Sequence, residues 1–189
     1  MTDKDNLDSS RKSGVWKLGT REVVIGAFFG ALVIVLQVIG LGSIPVPNLS
    51  GAMTTLLIPV ILGAIIGGPI VGMFTGFVMG IMYLILPATA AFGPITLIIP
   101  RLVMALVAWA VYRGLAGRSV SLASVMAGML GALTNTLFAV GIAIMLGQVP
   151  KSIFFVVIPQ ALIEMVGCAV IIPIVVVAVN TAMKARGQN

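Results

Sequence analysis

From Val23 onward the chain alternates long apolar runs with short breaks built from turn residues. The runs are Val23–Leu41, Ala52–Ile66, Ile70–Leu86, Ile95–Val111, Leu122–Leu146 and Ile153–Val179. Between them stand Ser43-Ile44-Pro45-Val46-Pro47-Asn48, Gly67-Gly68-Pro69, Pro87-Ala88-Thr89, Gly117-Arg118-Ser119 and Gly147-Gln148-Val149-Pro150. Gly, Pro, Ser and Asn clusters of this kind interrupt helices. A helix rises about 1.5 Å per residue and the hydrocarbon core is about 30 Å thick, so roughly 20 residues cross it. The pattern predicts an all-α integral membrane protein with six transmembrane helices. The second run has only 15 residues and contains Pro59, so it also fits a re-entrant segment. The last has 27, about 40 Å of helix, and must tilt, bend at Pro159 or Pro173, or protrude.

Charge sharpens this. The 189 residues include 11 Lys and Arg, five Asp and Glu and no His, and nine of the charges lie in the first 22 positions. Beyond them stand only Arg101, Arg113, Arg118, Lys151, Glu164, Lys184 and Arg186. A soluble domain carries roughly a quarter charged residues, against 8% here, so the solvent around the apolar runs is lipid. With the N-terminus inside, nine basic residues fall in cytoplasmic segments and only Lys151 in an outer loop. The positive-inside rule therefore predicts that both N- and C-termini are cytoplasmic. Residues 1–20 form a largely disordered basic tail, 21–183 the membrane domain and 184–189 a second cytoplasmic tail. The first run, 19 residues after a polar stretch, exceeds a secretory h-region of about 7–15 and reads as an uncleaved helix. The net charge of +6 belongs to tails and helix ends, so no nucleic-acid partner is implied.

The absence of histidine excludes Ser-His-Asp catalysis and imidazole metal sites. Cys168, the single cysteine, has no partner for an internal disulfide and reads as a core residue. Glu164 is the one carboxylate within the spans, too few for paired acid–base work, and no phosphate-binding loop is present. Neither an enzyme, a metal nor a cofactor is expected.

Small residues recur at helical spacing. Gly68, Gly72, Gly76 and Gly80 line one face of the third helix, a device that lets helices approach closely in lipid. The first helix carries Gly26 with Gly30 and Ala27 with Ala31. Packing within the chain accounts for the third helix, whereas the first, being terminal, also suits a partner subunit.

Two charged groups lie inside the spans, Arg101 and Glu164, with Asn135 and Gln160 as uncharged companions. From the inferred topology they lie about 9, 16, 16 and 10 Å below the outer boundary. Gln160 and Glu164 share a helix face. A charge at mid-membrane costs at least about 2.5–3.5 kcal/mol and usually faces a cavity or a partner. The set describes either a polar pocket opening outward or a structural Arg101–Glu164 ion pair completed by the amides.

On these residues the chain resembles the substrate-binding S components of energy-coupling factor (ECF) transporters, which take up vitamins in prokaryotes. The resemblance rests on six spans in a short chain and on Ala27-Phe28-Phe29-Gly30-Ala31. It rests also on the stretch Ile58 to Gly72 with its Gly67-Gly68-Pro69 turn, and on Ile99-Pro100-Arg101. It implies a subunit of the prokaryotic plasma membrane that captures a small molecule on the outer side with helices four to six and outer loops. It further implies docking through the alanine motif, with Ala27, Ala31, Gly26 and Gly30, onto a transmembrane coupling subunit with two ATPases that use the ATP. Asn48 and Thr89 then fall where a covering loop would be, and with Thr96 they join Arg101, Asn135, Gln160 and Glu164 as candidate substrate-binding residues. Arg101 suits a carboxylate or phosphate and Glu164 a hydroxyl, amide or ammonium. Pantothenate is slightly favoured; pyridoxine-like and thiamin-precursor-like molecules also fit. The rival readings are a structural or assembly subunit with a buried ion pair, and a solitary small carrier.

Overall fold

Helix boundaries follow from capping and proline chemistry. Gly19 donates its N–H to Glu22 Oε2 at 3.0 Å ahead of α1 (Thr20–Val38). Gly68, at φ +91°, ends α2 (Leu57–Gly67) and turns the chain at once into α3 (Pro69–Ile85). Pro69 and Pro94 open α3 and α4 (Pro94–Leu115), a position where the missing N–H costs no helical bond. Ser119 caps α5 (Val120–Met145), its Oγ accepting from Leu122 N at 3.4 Å. The final helix, α6 (Ile153–Ala185), runs through Pro159 and Pro173. These elements come from a computed structural model that describes residues 19–45, 52–86, 89 and 91–185.

The helices form one bundle whose register can be read from close approaches. A Cβ on Gly76 would lie 2.7 Å from the carbonyl oxygen of Arg101, and one on Gly80 3.1 Å from that of Leu97. Gly72 meets Ala64 of α2 and Ala105 of α4. Thus α3 runs antiparallel to both α2 and α4, and its glycine stripe is what allows backbone-to-backbone contact. Gly131 of α5 faces Ile61 and Ala108, and Gly128 lies against Cys168 and Ile172 of α6. Gly68 differs from the rest of the stripe: it is the turn, with no neighbour within 4 Å of a Cβ.

Two departures from the expected spans stand out. Residues Ala52–Thr54, expected to begin the second helix, instead form β2, paired antiparallel with β1 (Ser43–Pro45) in the register Ser43↔Thr54. Helix α2 shrinks to 11 residues. Thr54 and Thr55 are polar, and Thr55 is bonded back to the turn after α1, its N donating to Gly42 O at 3.2 Å and its hydroxyl to Leu41 O. The last helix extends to 33 residues, about 50 Å.

Among the described residues four helices, α1, α4, α5 and α6, are long and apolar enough to cross a membrane; α2 and α3 are shorter. Helix α2 is buried nearly all round, with Leu57, Val60, Ile61 and Ala64 wholly inaccessible. An all-apolar helix of this kind belongs at the centre of a bundle. Around it pack Val33, Met79, Met104 and Ile172. The outward surfaces keep Phe28, Ile85, Phe155 and Ile174 exposed, as a lipid-facing perimeter requires.

Candidate binding site

The start of α1 and the end of α6 share one end of the bundle with Arg113 and Arg118, and the strand pair stands at the other. There, between α3, α4, α5 and α6, a cavity of about 190 Å³ is lined by Tyr83, Thr89, Phe92, Thr96, Leu97, Arg101, Ala139, Val140, Ala143, Val149, Ile153 and Val157. Most of the wall is apolar, and the polar groups converge from three elements.

Arg101 is the charged member, 7% exposed. Its Nη1 donates to the carbonyl of Thr96 at 3.0 Å, and its Cζ sits 5.1 Å from the ring centroid of Tyr83. A guanidinium over a tyrosine face gains from the ring quadrupole. Nε is buried and has no hydrogen-bond partner. Thr96, also buried, donates its hydroxyl to Gln148 Oε1 at 2.8 Å and so joins α4 to the α5–α6 connection. Thr89 donates its hydroxyl to the carbonyls of Tyr83 and Leu86.

Glu164 behaves differently. Its Oε1 accepts from Thr54 N at 2.9 Å and from Gln160 Nε2 at 3.0 Å, and the residue is 4% exposed. Both predicted partners on α6 are therefore turned toward the strand pair, and neither lines the cavity. The direct Arg101–Glu164 ion pair of the structural alternative is not formed, the one carboxylate–cation contact among the described residues being Arg21–Glu22 at 3.7 Å. Each charge instead takes neutral partners close at hand, from α3 and α4 for Arg101 and from β2 and α6 for Glu164.

Asn135 is buried on α5, one turn from the cavity residue Ala139, and its Oδ1 has no partner. Asn48 lies outside the described residues. Sequence reading had overlooked four contributors. Tyr83 lay unremarked within the third apolar run. Ser43 and Gln148 sat in breaks, and Thr54 within a presumed span. Only a polar residue adjoining a Gly or Pro break would have flagged Ser43 and Gln148.

At the opposite end, α1 divides its small residues between two faces. Gly26 and Gly30 are buried against Phe74 of α3, at 3.6 and 3.3 Å from where a Cβ would stand. Ala27 and Ala31 are exposed. Beside them a groove of about 300 Å³ runs between α1 and α3, lined by Glu22, Val23, Gly26, Ala27, Ile70, Val71 and Phe74.

A family model described as "ECF transporter, substrate-specific component" matches residues 21–176. Among curated proteins, none matches the sequence.

Proposed function

The chain belongs to the ECF transporter substrate-specific component family, and on that premise we propose that it captures pantothenate, or a vitamin precursor of similar size and charge, in the cavity between α3 and α6. Membership makes it a membrane protein and the substrate-binding subunit of an ECF transporter, not an enzyme. Such components bind small vitamin-like substrates and associate with the membrane and ATPase subunits of the ECF module.

The observation that carries the finer reading is Arg101, a buried cation on the cavity wall with Nε unpartnered. Since Nη1 is committed to Thr96, the edge bearing Nε is the one left for a ligand. A carboxylate accepts two parallel N–H bonds from such an edge, which gives both energy and orientation. Ala139, Val140, Ala143 and Val157 supply apolar wall for a short aliphatic body. Asn135, one turn further along α5, supplies an acceptor for a hydroxyl or amide N–H.

The cavity faces the outside of a prokaryotic plasma membrane in this reading, because Arg21, Arg113 and Arg118 at the opposite end follow the positive-inside rule. Substrate enters from outside, and reorientation is driven by the ATPases through a coupling subunit seated on the Ala27–Ala31 face. Equilibrium binding of the purified protein to pantothenate, pyridoxine and thiamin tests the assignment. Saturable, tight binding of pantothenate alone supports it. Preference for the neutral or cationic ligands, or binding of none, overturns it.

A further inference from the structure

Tyr83 is the residue on which the anion site and the strand pair meet. Its ring lies under the Arg101 guanidinium at 5.1 Å. Its hydroxyl is within hydrogen-bonding distance of Thr54 Oγ1, at 3.0 Å, and Ser43 Oγ, at 3.4 Å. Ser43 and Thr54 are partners across the strand pair, so one phenol oxygen touches both strands at the same rung. Thr89, from the α3–α4 connection, is bonded to the Tyr83 carbonyl. The tyrosine itself is 7% exposed and lines the cavity.

A two-stranded pair is marginal by itself. This one has three residues per strand, so its place over the bundle depends on what it is bonded to. Among the described residues two side chains supply the ties: Glu164, which accepts from Thr54 N, and Tyr83. Glu164 does not line the cavity, whereas the Tyr83 tie rests on the group that would hold a ligand's anion.

We propose that Tyr83 is a positioning residue that couples anion occupancy at Arg101 to the placement of the β1–β2 pair. The inference rests on the reading of the cavity as the substrate site. A carboxylate on the free edge of Arg101 fixes the guanidinium; the guanidinium fixes the ring beneath it; the ring fixes the hydroxyl to which Thr54 and Ser43 are bonded. Coupling of this kind is reciprocal, so ligand must hold the strands by the same factor as the strands hold ligand.

Hydrogen–deuterium exchange at the Thr54 amide, in the full-length chain in nanodiscs with and without pantothenate, reads this directly. Tyr83→Phe keeps the ring under Arg101 and removes only the hydroxyl. Loss of one such bond is expected to speed Thr54 exchange roughly three- to tenfold. Thr54→Val, which keeps the backbone donor to Glu164, should do the same, and the double variant should be no faster than either single. Pantothenate should slow Thr54 exchange in the wild type and not in Tyr83→Phe, whose pantothenate affinity falls by the factor of protection lost. Wild-type exchange in ligand-free Tyr83→Phe, or independent additive effects of the two substitutions, overturns the role of Tyr83. If calorimetry shows that the wild type binds pantothenate and Thr54 exchange stays unchanged, the coupling is overturned; if it binds none, the pantothenate assignment falls, while faster Thr54 exchange in ligand-free Tyr83→Phe still supports the tie between Tyr83 and the strands.

Discussion

Arg101 donates from Nη1 to the carbonyl of Thr96, five residues back in its own helix, at 3.0 Å. The bond answers a vacancy made by its neighbour. Pro100 has no N–H, so the carbonyl four residues before it, that of Thr96, lacks a helical donor. A buried carbonyl left unpaired costs about 1–3 kcal/mol. The Pro-Arg pair thus supplies its own remedy, and in doing so aims the guanidinium at the cavity wall.

Arg101→Gln is therefore expected to weaken a carboxylate ligand by at least about 30-fold, the low end for losing one partner of a buried charged pair. Titration calorimetry on purified protein measures it. Arg101→Lys should recover little, because an ammonium cannot present a planar two-donor edge. Undiminished affinity in Arg101→Gln would remove the anion anchor.

Pro100→Ala restores the N–H that Thr96 lacks and releases Nη1 of Arg101. The ligand-free protein is expected to melt higher, since α4 regains a helical bond, while ligand affinity falls as the guanidinium loses its tether. Thermal unfolding and binding should move in opposite directions. Parallel loss of both would show that the proline, rather than the arginine bond, shapes the site.

Asn135 offers a second dissociation of stability from function. Its Oδ1 is buried without a partner, and asparagine is a poorer helix former than alanine by roughly 0.7 kcal/mol. Asn135→Ala should leave the empty protein as stable or more stable, yet weaken ligand binding several-fold. A destabilised empty protein with normal affinity would assign Asn135 to the fold alone.

Gly76 tests how the fold reaches the site. Its missing side chain lets the Arg101 backbone approach, so Gly76→Ala must push α4 away from α3. A cost of about 1–3 kcal/mol is expected from overpacking, together with weaker ligand binding. Gly141→Ala, where a Cβ meets nothing within 4 Å, serves as the comparison and should be neutral or slightly stabilising.

On α1 the two small-residue pairs should behave oppositely. Ala27→Leu with Ala31→Leu, on the exposed face, should leave ligand affinity and melting temperature intact while reducing co-purification with coupling and ATPase subunits. Gly26→Leu should instead lower the melting temperature, because the added side chain meets Phe74 and Val71. Intact assembly of the double alanine variant would move the docking surface elsewhere.

Much of this is legible in the sequence. Six helical segments, their turns at Gly68, Ser119 and Gly147, and the singular standing of Arg101 and Glu164 follow from hydropathy, from turn residues and from the high cost of charge in lipid. Less legible was the start of the second span. Ala52–Thr54 continues an apolar run, and hydropathy does not distinguish three residues of strand from a helix start; only pairing with Ser43–Pro45 does. Gly26 and Ala27 are adjacent small residues of one apolar helix, and nothing local says which of them faces Phe74.

Sequence alone determined the solvent, because so few charges leave lipid as the medium that suits residues 23 to 183. It also determined which side chains would be costly to bury and must therefore be satisfied somewhere. Tertiary structure decided how they are satisfied. Arg101 and Glu164, opposite charges expected at similar depth, invited an ion pair. Instead, Pro100 opens a carbonyl for the arginine, Tyr83 supplies a ring face, and the strand pair brings the Thr54 amide to the glutamate. Those partners are 110 residues apart for Thr54 and Glu164, a separation across which sequence carries no pairing signal. The free Nε that gives the site its proposed chemistry is a product of that three-dimensional arrangement.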